Sequence, residues 1–172
     1  MRSNSLARLK AGTLIGVLLL CASQGCYSFK GITIPEEINT FYIKEIDNRV
    51  SNAPADIGQI FSESMKEKFL NESKLNYDEI NPDLEFSGEV TRYSVSSVAP
   101  QPGELTAFNR LDISVRLNYV NNQDEEDTWQ QSFSFYSDYE RNVNLLDIQD
   151  QLIEEIFEQL VEDVFNKAFT TW

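Results

Sequence analysis

Two parts of the chain carry apolar residues at a helical spacing. In residues 57–72 and again in residues 145–169, apolar side chains recur every three or four positions. This spacing predicts two amphipathic helices, each with one buried face. Asp56 and Asn144 stand just before them and are residue types that cap helix N-termini. We interpret the polar faces, which are rich in Glu and Lys, as solvated surface.

Between the two helices the pattern changes from helical spacing to strict alternation. Residues 108–120, "FNRLDISVRLNYV", alternate cleanly between apolar and polar, which is typical of a half-buried strand. Residues 84–98 also alternate but change phase, and we interpret the change as a bulge near Gly88 or Tyr93. Residues 129–139 complete a set of three long strands joined by short loops, which predicts an antiparallel meander.

Two shorter strands complete the predicted order. Residues 40–47, "TFYIKEID", are β-branched and aromatic and predict a first strand, and residues 74–80 give a weaker strand signal. The order is therefore β-α-(β)-β-β-β-α. It predicts an α+β fold, a two-layer sandwich in which two helices pack on one face of a mostly antiparallel sheet.

The first 25 residues have the layout of an export signal. A basic start precedes an uncharged apolar run at residues 11–22, which is too short for a membrane span of about 20 residues. Cleavage after Gly25 would leave Cys26 as the first residue, as in bacterial lipoproteins whose cysteine carries acyl chains such as palmitate. Cys21 is the rival cysteine, but Leu20 before it is too large. The simpler alternative is cleavage that leaves a free cysteine.

The remainder of the chain has the size of one domain. We expect residues 26–35 to form a lipidated tether and residues 36–172 a single domain. No disulfide can form inside it, because Cys21 leaves with residues 1–25.

Charge excludes several classes of function. The chain has a net charge of −14, which becomes −17 once the three basic residues of the signal are removed. Such an acidic chain is unsuited to nucleic acid or to an electrostatic grip on anionic lipid, so a membrane anchor must be covalent.

The sequence lacks histidine and any recognisable catalytic motif. The chain has no histidine, which is the commonest general base and metal ligand. The acidic run "DEED" at residues 124–127 lacks the ligand spacing of a calcium loop. No phosphate-binding loop or nucleophile elbow occurs. We therefore expect neither catalysis, nor a metal site, nor a cofactor.

Binding is the remaining class of function. The strands carry neutral polar side chains and a few arginines, which suit bidentate contacts to carboxylate or phosphate. The alternative is that each arginine pairs with a neighbouring Asp or Glu. A loop over residues 99–110 is long enough to reach a partner. The candidate contacts to a partner or to lipopolysaccharide are Arg92, Arg110, Arg116 and Arg141.

Several stretches resemble the lipopolysaccharide-assembly lipoprotein family (LptE-like) in its Bacteroidetes-type branch. The sharpest is the Tyr27-Ser28-Phe29 run directly after Cys26. The stretches, in the family's order, are "CYSFKGITIPEEINTFYI", "FSESMKEKFLNESKL", "DLEFSGEVTRYSVSSVAPQ", "NRLDISVRLNYVN" and "QSFSFYSDYERNVNLLDIQDQLIEEIFEQLVEDVFNKAFTTW".

The resemblance implies a function, a partner and a location. Family members plug and help assemble a large outer-membrane β-barrel, the LptD-type translocon, which delivers lipopolysaccharide to the outer leaflet. It implies the same two-helix α+β fold. The chain would be lipid-anchored, non-enzymatic and periplasm-facing, with the barrel and lipopolysaccharide as its partners. No Asp adjoins Cys26 and no acidic cluster follows it, which favours the inner leaflet of the outer membrane.

Two other readings remain open at the level of sequence. One is a pilotin-like lipoprotein adaptor for a secretin, whose partner would be a multimeric ring. The other is an enzyme or a glycolipid carrier, and a carrier should contain a deep apolar pocket.

Overall fold

The computed structural model describes residues 34–99 and 107–169, which form two helices and six strands. Both helices have the bounds that the apolar spacing predicts. The elements in chain order are β1 Thr40–Ile43, β2 Asp47–Asn48, α1 Ile57–Glu72, β3 Asn76–Tyr77, β4 Leu84–Val98, β5 Phe108–Asn121, β6 Thr128–Glu140 and α2 Leu145–Phe169.

The strands form one mixed sheet in the order β3-β1-β4-β5-β6, with β2 also paired to β4. The long strands β4, β5 and β6 are antiparallel neighbours, as the alternation predicts. The short strands β1 and β2 run parallel to β4. A crossover through α1 joins β1 to β4, and such a crossover is what parallel neighbours need. The predicted α+β fold with a mostly antiparallel sheet is confirmed.

The first strand is shorter than residues 40–47 predict. β1 ends at Ile43, and the chain turns before β2 begins at Asp47. Ile46 causes the break, because its side chain is buried in the core while its N–H donates to the Ser62 hydroxyl of α1 at 2.9 Å. A continuous strand would leave that N–H in the sheet ladder instead.

The phase change in β4 is a bulge, and it lies between the two positions that the sequence suggests. Val90 pairs with Val115 and Arg92 with Ser114, so Thr91 is the extra residue. Apolar positions are even-numbered before the bulge and odd-numbered after it. Val90 and Tyr93 therefore both face the helices.

Both helices cover the same face of the sheet. α1 and α2 meet through Phe61 and Phe157, whose ring centroids are 4.9 Å apart. Phe69 lies at the centre of a cluster that joins α1, the sheet and α2. Aromatic pairs of this kind stabilise a core beyond the area that they bury. The rings around Phe69 are those of Phe41, Phe86, Phe165 and Phe169.

The helix ends agree only in part with the predicted caps. The side chain of Asn144 accepts a hydrogen bond from the Leu146 N–H at 3.4 Å, which confirms that cap. The prediction for Asp56 is wrong, since its side chain makes no capping bond. The α1 start uses backbone instead, with Ile57 N–H donating to the Pro54 carbonyl at 3.2 Å. At the other end of α1, Lys74 takes the left-handed conformation that often ends helices.

Several predictions fall outside the described residues. They are the signal at residues 1–25, the lipid attachment at Cys26, most of the tether, and residues 100–106 of the partner-reaching loop. Ile34, near the end of the predicted tether, packs against the core. Across the described ranges, neither helix is apolar enough over the length that a membrane span needs.

Candidate functional site

The sheet face opposite the helices, here called the open face, carries most of the sequence-predicted arginines. Every second residue of β5 points to it, because the alternate residues are buried under the helices. Arg110 and Arg116 lie on β5, and Arg92 lies on β4 beside them. The rest of the face is mostly neutral and polar, with Ser, Asn and Gln side chains on β4, β5 and β6.

Arg110 is held rigidly within the open face. Its Nε and Nη2 donate to the two carboxylate oxygens of Asp138 at 2.7 and 2.8 Å. The guanidinium also lies 3.5 Å above the ring of Tyr136. This bidentate pair holds the pKa of Asp138 below its usual range. The fork of Arg110 is therefore already occupied by a carboxylate of its own chain.

Arg116 and Arg92 are also paired on the open face. Arg116 donates to Glu89 at 2.9 Å, and Arg49 donates to the other oxygen of Glu89 at 3.3 Å. Arg92 makes a longer contact, 3.5 Å, with Asp112. The sequence could not single out Arg49, because its partner Glu89 is forty residues away and comes close only through the parallel β2–β4 pairing.

Arg141 differs from the other three candidates. It follows β6, is exposed, and makes no ion pair among the residues that the structure describes. Its backbone N–H donates to the Ala107 carbonyl at 3.0 Å, which extends the β5–β6 ladder by one residue. The four arginines thus do not form a joint anion site, since three are neutralised by nearby carboxylates and the fourth stands apart.

Three surface clefts are lined by charged side chains of both signs or by acids. The cleft on the open face has a volume of about 290 Å³ and contains Lys44, Arg116 and Glu89. A second, of about 310 Å³, lies beside the start of α1. The third, of about 550 Å³, lies between the helices and is lined by five glutamates and Lys68. None of the three offers the apolar lining that an acyl chain needs.

The groove between the helices contains an ion pair that the sequence does not reveal. Lys68 of α1 bridges Glu72 of its own helix and Glu162 of α2. The ammonium of Lys68 holds the pKa of Glu162 below its usual range. The polar faces predicted to be plain solvated surface therefore also join α1 to α2. Outside this groove, Lys66 of α1 makes a cation–π contact with Tyr77 of β3, with its Nζ 3.5 Å from the ring centroid.

Asp83, directly before β4, joins several segments of the chain through hydrogen bonds to its carboxylate. Its carboxylate accepts hydrogen bonds from the backbone N–H groups of Asn39 and Thr40 at 2.8 and 2.9 Å. It also accepts from the Thr40 hydroxyl and the Gln123 amide. These donors, led by the Asn39 N–H, lower the pKa of Asp83. The residue fixes the entry to β1 against the β5–β6 turn.

That turn contains the acidic run "DEED". Asp127 accepts hydrogen bonds from the Tyr119 hydroxyl at 3.0 Å and from the Asn121 amide at 3.1 Å. Burial, together with the bond to Asp127, raises the pKa of Tyr119. Within the described ranges, no group of three or more His, Cys, Asp or Glu side chains is arranged to hold a metal ion.

Solved structures resemble this fold at low sequence identity. A putative neuraminyllactose-binding hemagglutinin homologue from Helicobacter pylori matches with a TM-score of 0.53 at 14% identity, covering 84% of this chain and 90% of that one. A hypothetical protein from Chlamydia trachomatis matches with a TM-score of 0.49 at 10% identity, covering 76% and 98%. A minor lipoprotein from Acinetobacter baumannii matches with a TM-score of 0.47 at 12% identity, covering 78% and 92%.

The family comparison is more specific than these likenesses of fold. No curated protein matches the chain. The family model described as LptE, lipopolysaccharide-assembly, matches residues 38–168, which run from before β1 almost to the end of α2. The match thus covers the whole two-helix sandwich, including the open face and its arginines. The chain belongs to the lipopolysaccharide-assembly (LptE) family.

Proposed function

We propose that this chain is an acylated outer-membrane lipoprotein that plugs and helps assemble an LptD-type β-barrel. In this role it supports delivery of lipopolysaccharide to the outer leaflet. The observation that carries the proposal is the family match over residues 38–168. The acyl anchor would be on Cys26, and the domain would face the periplasm.

The chemistry of the open face supports a plug. The lumen of a large barrel is polar, so a plug needs a rigid surface whose charges are already balanced. On the open face, Arg110 is matched by Asp138, and Arg116 by Glu89. The neutral Ser, Asn and Gln side chains around them can exchange hydrogen bonds with a polar wall.

A direct carrier role for the glycolipid has less support. Lipopolysaccharide is anionic and acylated, whereas three of the four candidate arginines are paired to carboxylates. The three clefts described above are polar or acidic. Arg141 is the candidate best placed to meet an anionic group of the partner or of the glycolipid, because its guanidinium makes no ion pair in the described part of the chain.

Depletion of the protein in its native cell tests the assembly role. We expect less lipopolysaccharide on the cell surface, measured by labelling intact cells, together with accumulation of misassembled barrel protein. Normal surface lipopolysaccharide after full depletion would contradict the proposal. Loss of a secretin ring instead would favour a pilotin-like adaptor.

The lipid anchor has its own test. Cys26→Ala should abolish metabolic labelling with palmitate, because the thiol is the proposed acylation site. Cys21→Ala is the matched control and should leave labelling unchanged. If Cys21→Ala abolished labelling and Cys26→Ala did not, the acylated cysteine would be Cys21 and cleavage would occur before it.

A further inference from the structure

Strand β6 forms a long free edge of the sheet. It is the last strand in the sheet order and pairs only with β5 among the described residues. The opposite edge is formed by the two-residue strand β3. On that side β1 and β2 pair with β4 only as far as Val90, so among the described residues 92–98 of β4 also lack an outer neighbour. β6 is the longer free edge, with thirteen consecutive strand residues, Thr128–Glu140.

The register shows which backbone groups of β6 are unpaired. Arg141 N–H donates to the Ala107 carbonyl, and the pairing continues from there as Phe108 with Glu140. In an antiparallel pair only alternate residues exchange hydrogen bonds. The odd-numbered residues of β6 therefore bond to β5. Every second residue from Thr128 to Glu140 directs its N–H and C=O away from the sheet.

Most of this edge lacks the usual devices that prevent pairing, and its two charged residues, Asp138 and Glu140, lie near its C-terminal end. Natural edge strands are kept short or carry a proline, a lysine or a bulge. β6 contains no proline or lysine, and its pairing with β5 has no register shift. At its centre, "QSFSF" is uncharged, with Ser134 at the middle. The strand is therefore a template for a further strand.

The charges beside the edge indicate the kind of segment that fits. Glu155 of α2 accepts a hydrogen bond from Ser137 at 3.0 Å, and Lys167 lies over Trp129 at 5.9 Å. The four-residue helical spacing places Gln159 and Asp163 along the row between them. Along this row of α2, Glu155 and Asp163 carry carboxylates, and Lys167 at the C-terminal end carries the one positive charge of the row.

We propose that β6 binds one extended segment of a partner protein, with Lys or Arg at alternating positions, as an added strand. Backbone groups of the segment would pair with the free groups of β6, and its basic side chains would meet Glu155 and Asp163. A second copy of this chain fits less well, because it would bring its own Glu155 and Asp163 to the same seam. The proposal does not depend on the role in lipopolysaccharide assembly.

A synthetic peptide tests this edge directly. The probe is a fluorescent peptide of about nine residues that alternates lysine and valine, a length matched to the edge. It is titrated by anisotropy into the full-length chain purified in detergent. On binding, hydrogen exchange should slow in Thr128–Glu140, because the outward amides become bonded, and should not change in Leu84–Val98.

One pair of variants isolates the edge from general charge attraction. Ser134→Pro removes an outward N–H and leaves the β5–β6 bonds in place, and proline is tolerated at such edge positions. This variant should weaken binding of the peptide by about tenfold or more. Ser134→Thr keeps the N–H and should bind as the parent does. Circular dichroism of both variants verifies that the domain is folded, and equal binding by both would overturn the proposal.

Further measurements distinguish which kind of segment occupies the β6 edge. Removing the two carboxylates of the α2 row with Glu155→Gln and Asp163→Asn should weaken binding of the lysine–valine peptide by about fivefold at low salt. The effect should shrink at high salt. A glutamate–valine peptide should bind far more weakly than the lysine–valine one. Equal binding of the two peptides would overturn the proposal that the bound segment is basic. Sedimentation that shows a dimer, lost in Ser134→Pro, would assign the edge to a second copy.

Discussion

Gly58 and Asp83 each hold together parts of the chain that are distant in sequence. Gly58 lies in the first turn of α1, where the backbone passes directly over the turn between β1 and β2. A Cβ at this position would lie 1.9 Å from the backbone carbonyl oxygen of Ile46. Asp83 links the start of β1 to the β5–β6 turn through its carboxylate.

Gly58→Ala should destabilise the domain although alanine is the better helix former. The contact with Ile46 is to backbone, which cannot rotate away, so α1 must shift from the sheet. We expect the free energy of unfolding to fall by about 2 kcal/mol in chemical denaturation. Asn71→Ala, at an exposed position of the same helix, is the control and should be neutral or slightly stabilising. A gain in stability for Gly58→Ala would contradict the close packing.

Asp83→Asn should weaken the fold and reduce its sensitivity to acid. The amide cannot accept all the donors that meet the carboxylate, and we expect a loss of about 2 kcal/mol at neutral pH. The folded-state pKa of Asp83 is lowered, so its contribution is present above the unfolded value and is lost as pH falls through the folded one. Parent stability should therefore drop from about pH 5 downward, and less steeply in the variant.

The control for Asp83 is Glu125→Gln, an exposed carboxylate in the β5–β6 turn. Its acid unfolding curve should follow that of the parent. If Asp83→Asn and the parent lost stability equally between neutral and acid pH, the hydrogen-bonded carboxylate would not be the cause.

Helix α2 is the element on which the two layers depend most. Its buried residues run from Leu152 to Phe169, and the helix contacts both α1 and β6. Leu160 is fully buried at its middle, so Leu160→Asp would place an unpaired charge in the core. We expect loss of the cooperative thermal transition, followed by circular dichroism. Glu158→Asp, exposed on the same helix, should keep it, and a folded Leu160→Asp would mean that α2 packs through a different face.

The bulge in β4 can be tested by deleting single residues of the strand. Deleting Thr91 keeps Val90 opposite Val115 and Arg92 opposite Ser114, so both flanking segments retain their faces. The variant should fold with a modest loss of about 1–2 kcal/mol in denaturation. Deleting Ser87 is the matched control, because it shifts the segment between Ser87 and the bulge by one residue and moves Val90 from the core to the open face. Equal damage from both deletions would contradict the register.

The elements were more predictable than the contacts between them. The periodic patterns define α1, α2 and the long strands because burial of one face dominates their sequences. The parallel pairing of β1 and β2 with β4 depends on how α1 packs, which no local pattern records. For the same reason the partners of Arg49 and Lys68 could not be predicted, whereas Arg110 needed only a carboxylate on the adjacent strand.

On the scale of the whole molecule, the two surfaces of the sandwich differ in charge. The open face pairs its arginines with carboxylates, while the groove between the helices is lined by five glutamates. The neutral face suits close contact with a polar wall, and the acidic helices suit solvent or a basic partner. This division is consistent with a domain that docks by its sheet.

The proposed partnership with a β-barrel is tested most directly by gentle detergent co-purification of the tagged full-length protein from outer membranes. Mass spectrometry then identifies and quantifies what accompanies it. We expect one large β-barrel protein of the LptD type at near-equal stoichiometry. Recovery of a secretin, or of no stable partner, would contradict it.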